Sequence, residues 1–418
     1  MEFLSDKRTI LSNPGEKRNN LYYNVQNTTV SEVEVGYNLG RFRQSLSSSR
    51  FNSVSQVIIP NQSFLGDCFL SLELPATVAD QTICRGWGYS CIRNISYLAG
   101  SSNVSLMSIN GQSAFQQIML QCETEEKKSE YLRLGGQVIL TAGVIPKAVI
   151  QLPLPWSTAC SVDGGKKLID TNLLNQPITI QIEFDTSAKI YGGNGARPDQ
   201  FTRVECITRQ GDLSNKALSL RNTLMANEKL MLGYPFIHSQ SYAPPRFTVV
   251  NPNDVTSITL QSFINADIVG ISIGVIADTS LNPTGNNSPS PLNYVDLTDV
   301  RLLFNGQTVY DCPGDLMKLA NAKYSKAGSG FVLNDVIQNG AIAPFTSNPV
   351  DTYIYCFDMA VIRSLCFDKE YQNTPRLPSQ VLELEFKVPA ADTYTCYATY
   401  YYNGIMEISQ GQSNIYFN

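Results

Sequence analysis

The sequence predicts an all-β protein built from two tandem domains of the sandwich or jelly-roll kind. The chain has 418 residues, which is enough for two all-β domains of about 200 residues each. Its 21 Tyr, 18 Phe, 28 Gly and 21 Pro residues favour short strands joined by turns over long helices. The order of the predicted elements repeats in the second half, which indicates that one unit was duplicated. A repeat of about 200 residues fits a jelly roll better than a propeller, whose repeats are shorter.

Composition and charge exclude several classes of protein. Hydrophobic residues make up 43% of the chain and charged residues 16%, as expected for a folded protein. The net charge of −5 argues against a nucleic-acid-coating surface, which needs clustered Lys and Arg, so we expect no sequence-specific nucleic-acid partner. No apolar run approaches the 18 residues of a membrane span, and the N-terminus lacks the apolar core of a signal peptide. We therefore expect no membrane span and a protein that is made inside the cell.

Residues 1–50 are polar, rich in turn-forming residues and mixed in charge, and we expect them to form an N-terminal arm. Two interpretations stay open. The arm is either a solvated, poorly ordered segment, or a segment that becomes ordered only against a neighbouring subunit or an inner layer.

The first jelly roll is expected at residues 51–212. The stretch VSQVIIPNQSFLGDCFLSLELP, which begins at Val54, predicts two short strands separated by the turn signal PNQS. The stretch TEEKKSEYLRLGG predicts one short helix, with Thr124 as its N-cap and Gly135 as its stop. NQPITIQIEF predicts a half-buried strand whose core-facing residues are Ile178, Ile180, Ile182 and Phe184.

Residues 213–240 are expected to be a connecting segment, with a helix that begins at Ser214 or Asn215. The second jelly roll is expected at residues 241–418. There VTSITLQSFINADIVGISIGVI predicts paired strands, and the segment from Asp315 predicts a helix. SQVLELEFKV predicts a strand with one apolar face, made of Leu382, Leu384 and Phe386.

Two similar hexapeptides, NGQSAF at Asn110 and NGQTVY at Asn305, lie 195 residues apart, each after an apolar run. Asn-Gly is a strong signal for a tight turn because both residues tolerate a positive φ, so we expect each copy to form a hairpin. An alternating strand follows both Gln176 and Gln380, 204 residues apart. We interpret the two hexapeptides as corresponding positions of one fold that is used twice.

No catalytic, cofactor-binding or metal-binding constellation is visible, so we predict no enzyme and no cofactor. The chain has a single histidine, His238, at the predicted junction, where a structural role is favoured over catalysis. VDGGKKL lacks the spacing of a phosphate-binding loop. Glu383 and Glu385 share the polar face of one strand and favour a solvated surface, although a glycosidase's pair of carboxylates stays open.

The ten cysteines and Trp87 also favour structural roles. No CxxC pair is present, so we expect buried free thiols, no metal site and no essential disulfides. Trp87, between two glycines in CRGWGYS, is expected to pack inside the fold. The alternative is an exposed aromatic platform near Trp87 or Trp156 that stacks on a sugar.

Four stretches resemble the double jelly-roll major capsid proteins of polinton-like viruses, virophages and related algal double-stranded DNA viruses, in the lineage that includes adenovirus hexon. These stretches are VIIPNQSFLGDCFLSLELP, GWGYSCIRNISYLAGSSNVSLMSINGQSAFQQIMLQCETEEKKSEYLRL, LPLPWSTAC with LIDTNLLNQPITIQIEF, and MLGYPFIHSQSY. Together with the duplicated plan, they cover most of residues 50–418.

The resemblance implies two eight-stranded barrels per chain and a homotrimer that forms a pseudo-hexagonal, hexon-like capsomer of an icosahedral shell. It implies neighbouring capsomers, penton proteins and minor capsid or cement proteins as partners, the last through the N-terminal arm, and a location in the virion after assembly inside the host cell. Loops at residues 157–172 and 279–292 are expected at the outer surface or at trimer contacts, and helices near residues 125 and 315 are expected to brace the barrels. A lectin-like or glycan-active two-domain β-sandwich is the alternative.

Overall fold

A computed structural model describes most of the chain. The described residues are 35–59, 64–99, 104–121, 125–155, 169–171, 174, 177–213, 231–241, 244–260, 268–283, 289–304, 306–313, 330–333, 335–338, 341–344, 350–358, 382–409 and 412–417. Strands dominate these ranges and the few helices are short, so the predicted all-β class is confirmed.

The first half contains twelve strands, three α-helices and one 3₁₀ turn within the described ranges. The strands are β1 (Val35–Ser45), β2 (Val54–Ile59), β3 (Phe64–Glu73), β4 (Gln81–Ile83), β5 (Ile92–Ala99), β6 (Val104–Ile109), β7 (Val138–Ile139), β8 (Lys147–Leu152), β9 (Ile169–Asp170), β10 (Ile178–Phe184), β11 (Tyr191–Gly193) and β12 (Arg203–Leu213). The helices are α1 (Trp87–Ser90), α2 (Gly111–Gln121) and α3 (Glu125–Leu134), and the 3₁₀ turn is Ser187–Lys189.

The second half contains fourteen strands and one short helix in its described part. The strands are β13 (Met231–Ser241), β14 (Arg246–Val249), β15 (Val255–Leu260), β16 (Ile268–Ala277), β17 (Asp299–Phe304), β18 (Gln307–Pro313), β19 (Gly330–Leu333), β20 (Asp335–Gln338), β21 (Ala341–Pro344), β22 (Val350–Tyr353), β23 (Tyr355–Asp358), β24 (Leu382–Lys387), β25 (Asp392–Ser409) and β26 (Gln412–Phe417). The helix is α4 (Asp278–Leu281).

The first barrel consists of two four-stranded layers. Their strand orders are β1-β12-β3-β8 and β2-β10-β5-β6. Along the chain, these eight strands cross from one layer to the other at every connection except the β5–β6 hairpin. This path is that of a jelly roll.

The second barrel follows the same path strand for strand. Its layers have the orders β13-β25-β16-β23 and β15-β24-β17-β18, and its hairpin within one layer is β17–β18. The smaller sheets, β11-β4-β7-β20-β21 and β19-β22, lie outside this scheme. The identical strand orders confirm the predicted duplication and the two eight-stranded barrels.

Both alternating strands form as predicted. In β10 every second residue from Ile178 to Phe184 is buried, and the residues between them are partly exposed. In β24 Leu384 and Phe386 are buried, while Glu383 and Glu385 are partly exposed. Helix α3 ends at Leu134, directly before the predicted stop at Gly135. Thr124 and the helix predicted from Asp315 lie outside the described ranges.

The chain departs from the prediction at two boundaries. Residues 35–45, expected to be part of the arm, form β1, which pairs antiparallel with β12 and so belongs to the first barrel. Residues 231–240, expected to be a helical connector, belong to strand β13. Residues 1–34 and 214–230 lie outside the described ranges. The arm and connector predictions are therefore wrong for the residues that can be compared.

The two NGQ copies have different structures. Strands β17 and β18 form the predicted hairpin, in which Phe304 pairs with Gln307 and Gly306 has a φ of 77°, while Asn305 lies outside the described ranges. Asn110 instead precedes helix α2, and its Oδ1 accepts a hydrogen bond from the Ser113 amide at 2.7 Å, which is the geometry of an N-cap. The first copy follows the strand that corresponds to β18, so the copies are not equivalent positions. That interpretation was wrong, although the duplication is real.

Candidate functional site at the seam between the barrels

The two barrels meet edge to edge along β6 and β13. These strands are parallel neighbours and pair at Ser108 and Gln240. The contact joins a layer of the first barrel to a layer of the second, giving one continuous sheet with the order β2-β10-β5-β6-β13-β25-β16-β23. We call this contact, with helix α2 beside it, the seam.

Helix α2 has an apolar side and a polar side, and both are buried. Phe115, Ile118 and Met119 recur at helical spacing and belong to the hydrophobic core of the first barrel. The side formed by Gln112 and Gln116 is also buried, and its contacts lie in the second half of the chain. The helix therefore lies between the barrels and contacts both.

Side-chain amides of α2 bind partners in the second half of the chain. Tyr294 Oη donates a hydrogen bond to Gln112 Oε1 at 2.6 Å. Ser272 Oγ donates to Gln116 Oε1 at 3.2 Å, and Gln116 Nε2 donates to the Tyr397 carbonyl at 3.3 Å. Because buried polar groups are costly when they lack partners, this network favours one relative placement of the two barrels.

Close steric fit accompanies the network. A Cβ on Gly274, in β16, would lie 2.5 Å from the Tyr294 ring and 2.7 Å from Gln116 Nε2. A Cβ on Gly86, next to α1, would lie 2.1 Å from Leu292 Cδ1. Leu292 belongs to the loop at 279–292 that was expected at the outer surface or at trimer contacts. The described end of that loop packs against the first barrel instead, so the expectation is wrong for this part.

His238 lies in the seam, as predicted, and is buried in β13. Its Nδ1 is 2.9 Å from the carbonyl of Leu106 in β6, and because a carbonyl can only accept, Nδ1 carries the proton. Burial lowers the pKa of His238 to about 4. The imidazole is therefore neutral at physiological pH and links the two barrels through one hydrogen bond.

Trp87 does not form an exposed platform. Its side chain is fully buried, and a Cβ on Gly136 would lie 2.4 Å from its indole ring. Trp156 lies outside the described ranges. Burial of Trp87 removes one of the two aromatic platforms on which the lectin-like alternative depended.

The remaining candidates for chemistry lie on outer faces or in cores. Glu383 and Glu385 are on the half-exposed face of β24, where Glu385 lies 3.9 Å from Arg301 Nη1 and Arg301 Nε lies 3.2 Å from Asp311. Within the described ranges, no group of three or more His, Cys, Asp or Glu side chains is placed to hold a metal ion. In the same ranges, no helix is long and apolar enough to cross a membrane.

The described cysteines are buried, as predicted, and have free thiols. They are Cys68, Cys84, Cys91, Cys206, Cys312, Cys356 and Cys396. Burial raises the pKa of the Cys206 and Cys396 thiols to about 12, so they remain protonated and poorly nucleophilic at neutral pH.

A sequence repeat that marks equivalent positions was missed. The pattern QSxxxxRF occurs at Gln44–Phe51 and again at Gln240–Phe247, 196 residues apart. In both copies Gln-Ser ends the first strand of a barrel, β1 or β13. Phe51 stacks on Phe201, and Phe247 stacks on Tyr394. A search for spaced identities would have found this repeat and placed β1 inside the first barrel.

The fold is similar to that of solved viral capsid proteins. It matches a chain of the PBCV-1 virus capsid over 94% of this chain and 99% of that chain, with a TM-score of 0.60 and 11% sequence identity. The major capsid protein of mavirus matches over 94% and 93%, with a TM-score of 0.55 and 9% identity. A chain of the Sputnik virophage structure matches over 94% and 91%, with a TM-score of 0.55 and 10% identity.

The sequence alone matches no protein-family model and no curated protein. The likeness at such low identity therefore concerns the fold. This chain has the double jelly-roll fold of viral major capsid proteins, as the sequence resemblance implied.

Proposed function

We propose that this chain is a structural major capsid protein, whose homotrimers form pseudo-hexagonal capsomers that tile the icosahedral shell of a double-stranded DNA virus. The observation that carries the proposal is the pair of topologically identical barrels held side by side by the buried seam. Three such chains supply six similar barrels. Six similar barrels around a three-fold axis give a nearly hexagonal outline, which suits the tiling of a surface.

A structural role also agrees with the distribution of polar groups. The buried polar network of the seam joins one barrel to the other, and its members are amides, hydroxyls and carbonyls. Such groups hold geometry and are poor nucleophiles without an activating base. We therefore propose a non-enzymatic protein that resides in the virion shell after assembly in the host cell.

The assembly state tests this proposal. In size-exclusion chromatography with light scattering, the full chain is expected to elute with three times the mass of the 46.2 kDa protomer. Negative-stain electron microscopy of the same fraction is expected to show particles with a hexagonal outline. A chain that stays monomeric across the micromolar range, and that forms no shells with its virion partners, would contradict the proposal.

We further propose that neighbouring capsomers, penton proteins and minor capsid or cement proteins are the partners of the trimer, the last through residues 1–34. These residues precede β1, so their removal leaves every described strand intact. Deletion of residues 1–34 is expected to preserve the trimer and to reduce the yield of complete shells. Shells that form in normal yield without these residues would refute this role for the arm.

A further inference from the structure

Each barrel has strand edges without a neighbour among the described residues, and one edge in each barrel corresponds to a strand of the seam. Strand β1 lies at the edge of its layer in the first barrel, and β18 lies at the edge of its layer in the second. In the duplicated plan, β1 corresponds to β13, and β18 corresponds to β6. Strands β6 and β13 meet within one chain. Their equivalents, β18 and β1, make no such contact within the described part of the chain.

The strand register fixes which residue of β18 corresponds to Ser108 of β6. Ser108 pairs with Ser96, and Ser96 pairs with Gln181 of β10. In the second barrel, Asp311 pairs with Arg301, and Arg301 pairs with Glu385 of β24. The two series of paired residues correspond if Gln181 and Glu385 occupy equivalent positions.

The neighbouring strands β2 and β15 show that Gln181 and Glu385 are equivalent. Gln181 pairs with Gln56 and Glu385 pairs with Ser257, the third residues of β2 and β15. Both strands follow an asparagine of positive φ at nearly the same distance, Asn52 and Asn253. Asp311 therefore occupies the position of Ser108.

The corresponding position on β1 is given by the QSxxxxRF repeat. Gln44 corresponds to Gln240, and each pairs with a core-facing residue of its neighbouring strand, Cys206 or Tyr400. Within the chain Gln240 pairs with Ser108. The equivalent contact would join Gln44 to Asp311, and within one chain these residues belong to different barrels at open edges.

We propose that β18 of one copy docks in parallel against β1 of the next copy, with Asp311 opposite Gln44, and so repeats between chains the β6–β13 contact that exists within each chain. This inference rests on the proposed homotrimer and specifies how its subunits meet. A contact between different surfaces of successive copies closes into a ring when the rotation is suitable. Three copies then alternate within-chain and between-chain seams around six barrels.

Charge and hydrogen bonding favour β18 of a second copy as the neighbour of the β1 edge. Strand β1 contains Arg41 and Arg43 and no acidic residue, whereas β18 contains Asp311 and no basic residue. The side chains of Arg43 and Asp311 are 54% and 51% exposed, and each also lies beside an opposite charge of its own chain, Glu205 at 3.3 Å and Arg301 at 3.2 Å. Gln44 Oε1 is buried and accepts no hydrogen bond among the described residues. Docking of β18 would bring the Asp311 carboxylate to Arg41 and Arg43. It would also bring backbone N–H donors to the β1 edge, where Gln44 lies.

Site-specific cross-linking tests the register. Paired residues on neighbouring strands lie within the Cα range of a disulfide, so Gln44→Cys with Asp311→Cys is expected to give cross-linked dimers and trimers on a non-reducing gel after mild oxidation. Each single variant and the mismatched pair Gln44→Cys with Asp199→Cys should give none. Ser108→Cys with Gln240→Cys is the positive control, and its bond should form within one chain.

Charge exchange tests the same contact without cysteines. Arg43→Asp and Asp311→Arg are each expected to raise the concentration at which the trimer dissociates by roughly tenfold, and the double variant should recover most of this loss. Asp199→Arg, on an exposed loop, is the matched control and should leave it unchanged. If the wild-type chain is a trimer, but the 44/311 cysteine pair does not cross-link and the charge reversals leave trimer dissociation unchanged, the docking is overturned and the capsid proposal stands. A wild-type chain that is always monomeric would instead defeat the capsid proposal itself.

Discussion

At the scale of single residues, close packing explains the glycine-rich surroundings of Trp87. Gly136 has a φ of 114°, and a Cβ there would lie 2.4 Å from the Trp87 indole, whereas Gly143 has a φ of 82° and a Cβ there would meet no atom within 4 Å. Both positions suit glycine because residues with a Cβ rarely adopt a positive φ. Of these two glycines, Gly136 is the one that also lacks room for a Cβ.

These two glycines give a matched pair of substitutions. Gly143→Ala is expected to lower the free energy of unfolding by about 1 kcal/mol, from backbone strain alone. Gly136→Ala should cost about 1–3 kcal/mol more, because the indole must move in a closely packed core. Urea denaturation of both variants measures the difference. Equal losses would show that the Trp87 contact is not tight.

His238 makes stability depend on pH in a predictable direction. Its folded pKa, about 4, lies below the unfolded value of about 6.5, so the unfolded chain binds the proton more tightly. The contribution is fully present above pH 6.5, decreases as the pH falls towards 4, and amounts to about 3 kcal/mol. His238→Gln, which keeps a donor for the Leu106 carbonyl, should lose this part of the pH dependence.

Unfolding free energies of wild type and His238→Gln at pH 7.5 and pH 4.5 provide the measurement, because carboxylates contribute alike to both proteins. His238 is the sole histidine, so its imidazole resonances in an NMR titration need no assignment. A titration midpoint near 6.5 in the folded protein would contradict the burial of His238.

At the scale of elements, the sequence predicted periodic strands well and misjudged the NGQ copies. Alternation in β10 and β24 reflects burial of one face, which any half-buried strand needs. Asn-Gly suits a hairpin turn, but asparagine is also a good N-cap, so the tripeptide alone cannot decide. The helical spacing of Phe115, Ile118 and Met119 after the first copy distinguishes it from the second. β1 was missed because its pairing partner, β12, lies 160–178 residues further along the chain.

The contacts of helix α2 distinguish two neighbouring buried glutamines. Gln116 bonds Ser272 and the Tyr397 carbonyl, whereas the Oε1 of Gln117 has no partner in the described ranges. Gln116→Leu is expected to cost about 1–3 kcal/mol in unfolding free energy, because it leaves buried groups unpaired across the seam. Gln117→Leu, the matched control, should cost less. Chemical denaturation compares them, and a larger loss for Gln117→Leu would contradict the network.

At the scale of the whole molecule, the resemblance and the duplicated order predicted the double barrel, and His238 was expected at the junction, but the polar network of the seam was beyond sequence reasoning. Gln112, Gln116, Ser272 and Tyr294 are spread over more than 180 residues and have no local pattern. Only the tertiary placement of α2 brings them together. The core of the first barrel even includes Ile276, Leu292 and Tyr294 from the second half, so the two barrels share hydrophobic contacts.

This sharing predicts that the barrels unfold together. The wild-type chain should give one calorimetric transition, because separating the barrels exposes Tyr294, Leu292 and the polar face of α2 to water. Gly274→Leu inserts a side chain where a Cβ alone would lie 2.5 Å from Tyr294, so it should force the seam open. Since Gly274 lies on the face of β16 opposite the core residues Ile273 and Val275, each barrel should keep its own core. The variant is therefore expected to show two separate transitions, and two transitions already in the wild type would contradict this coupling.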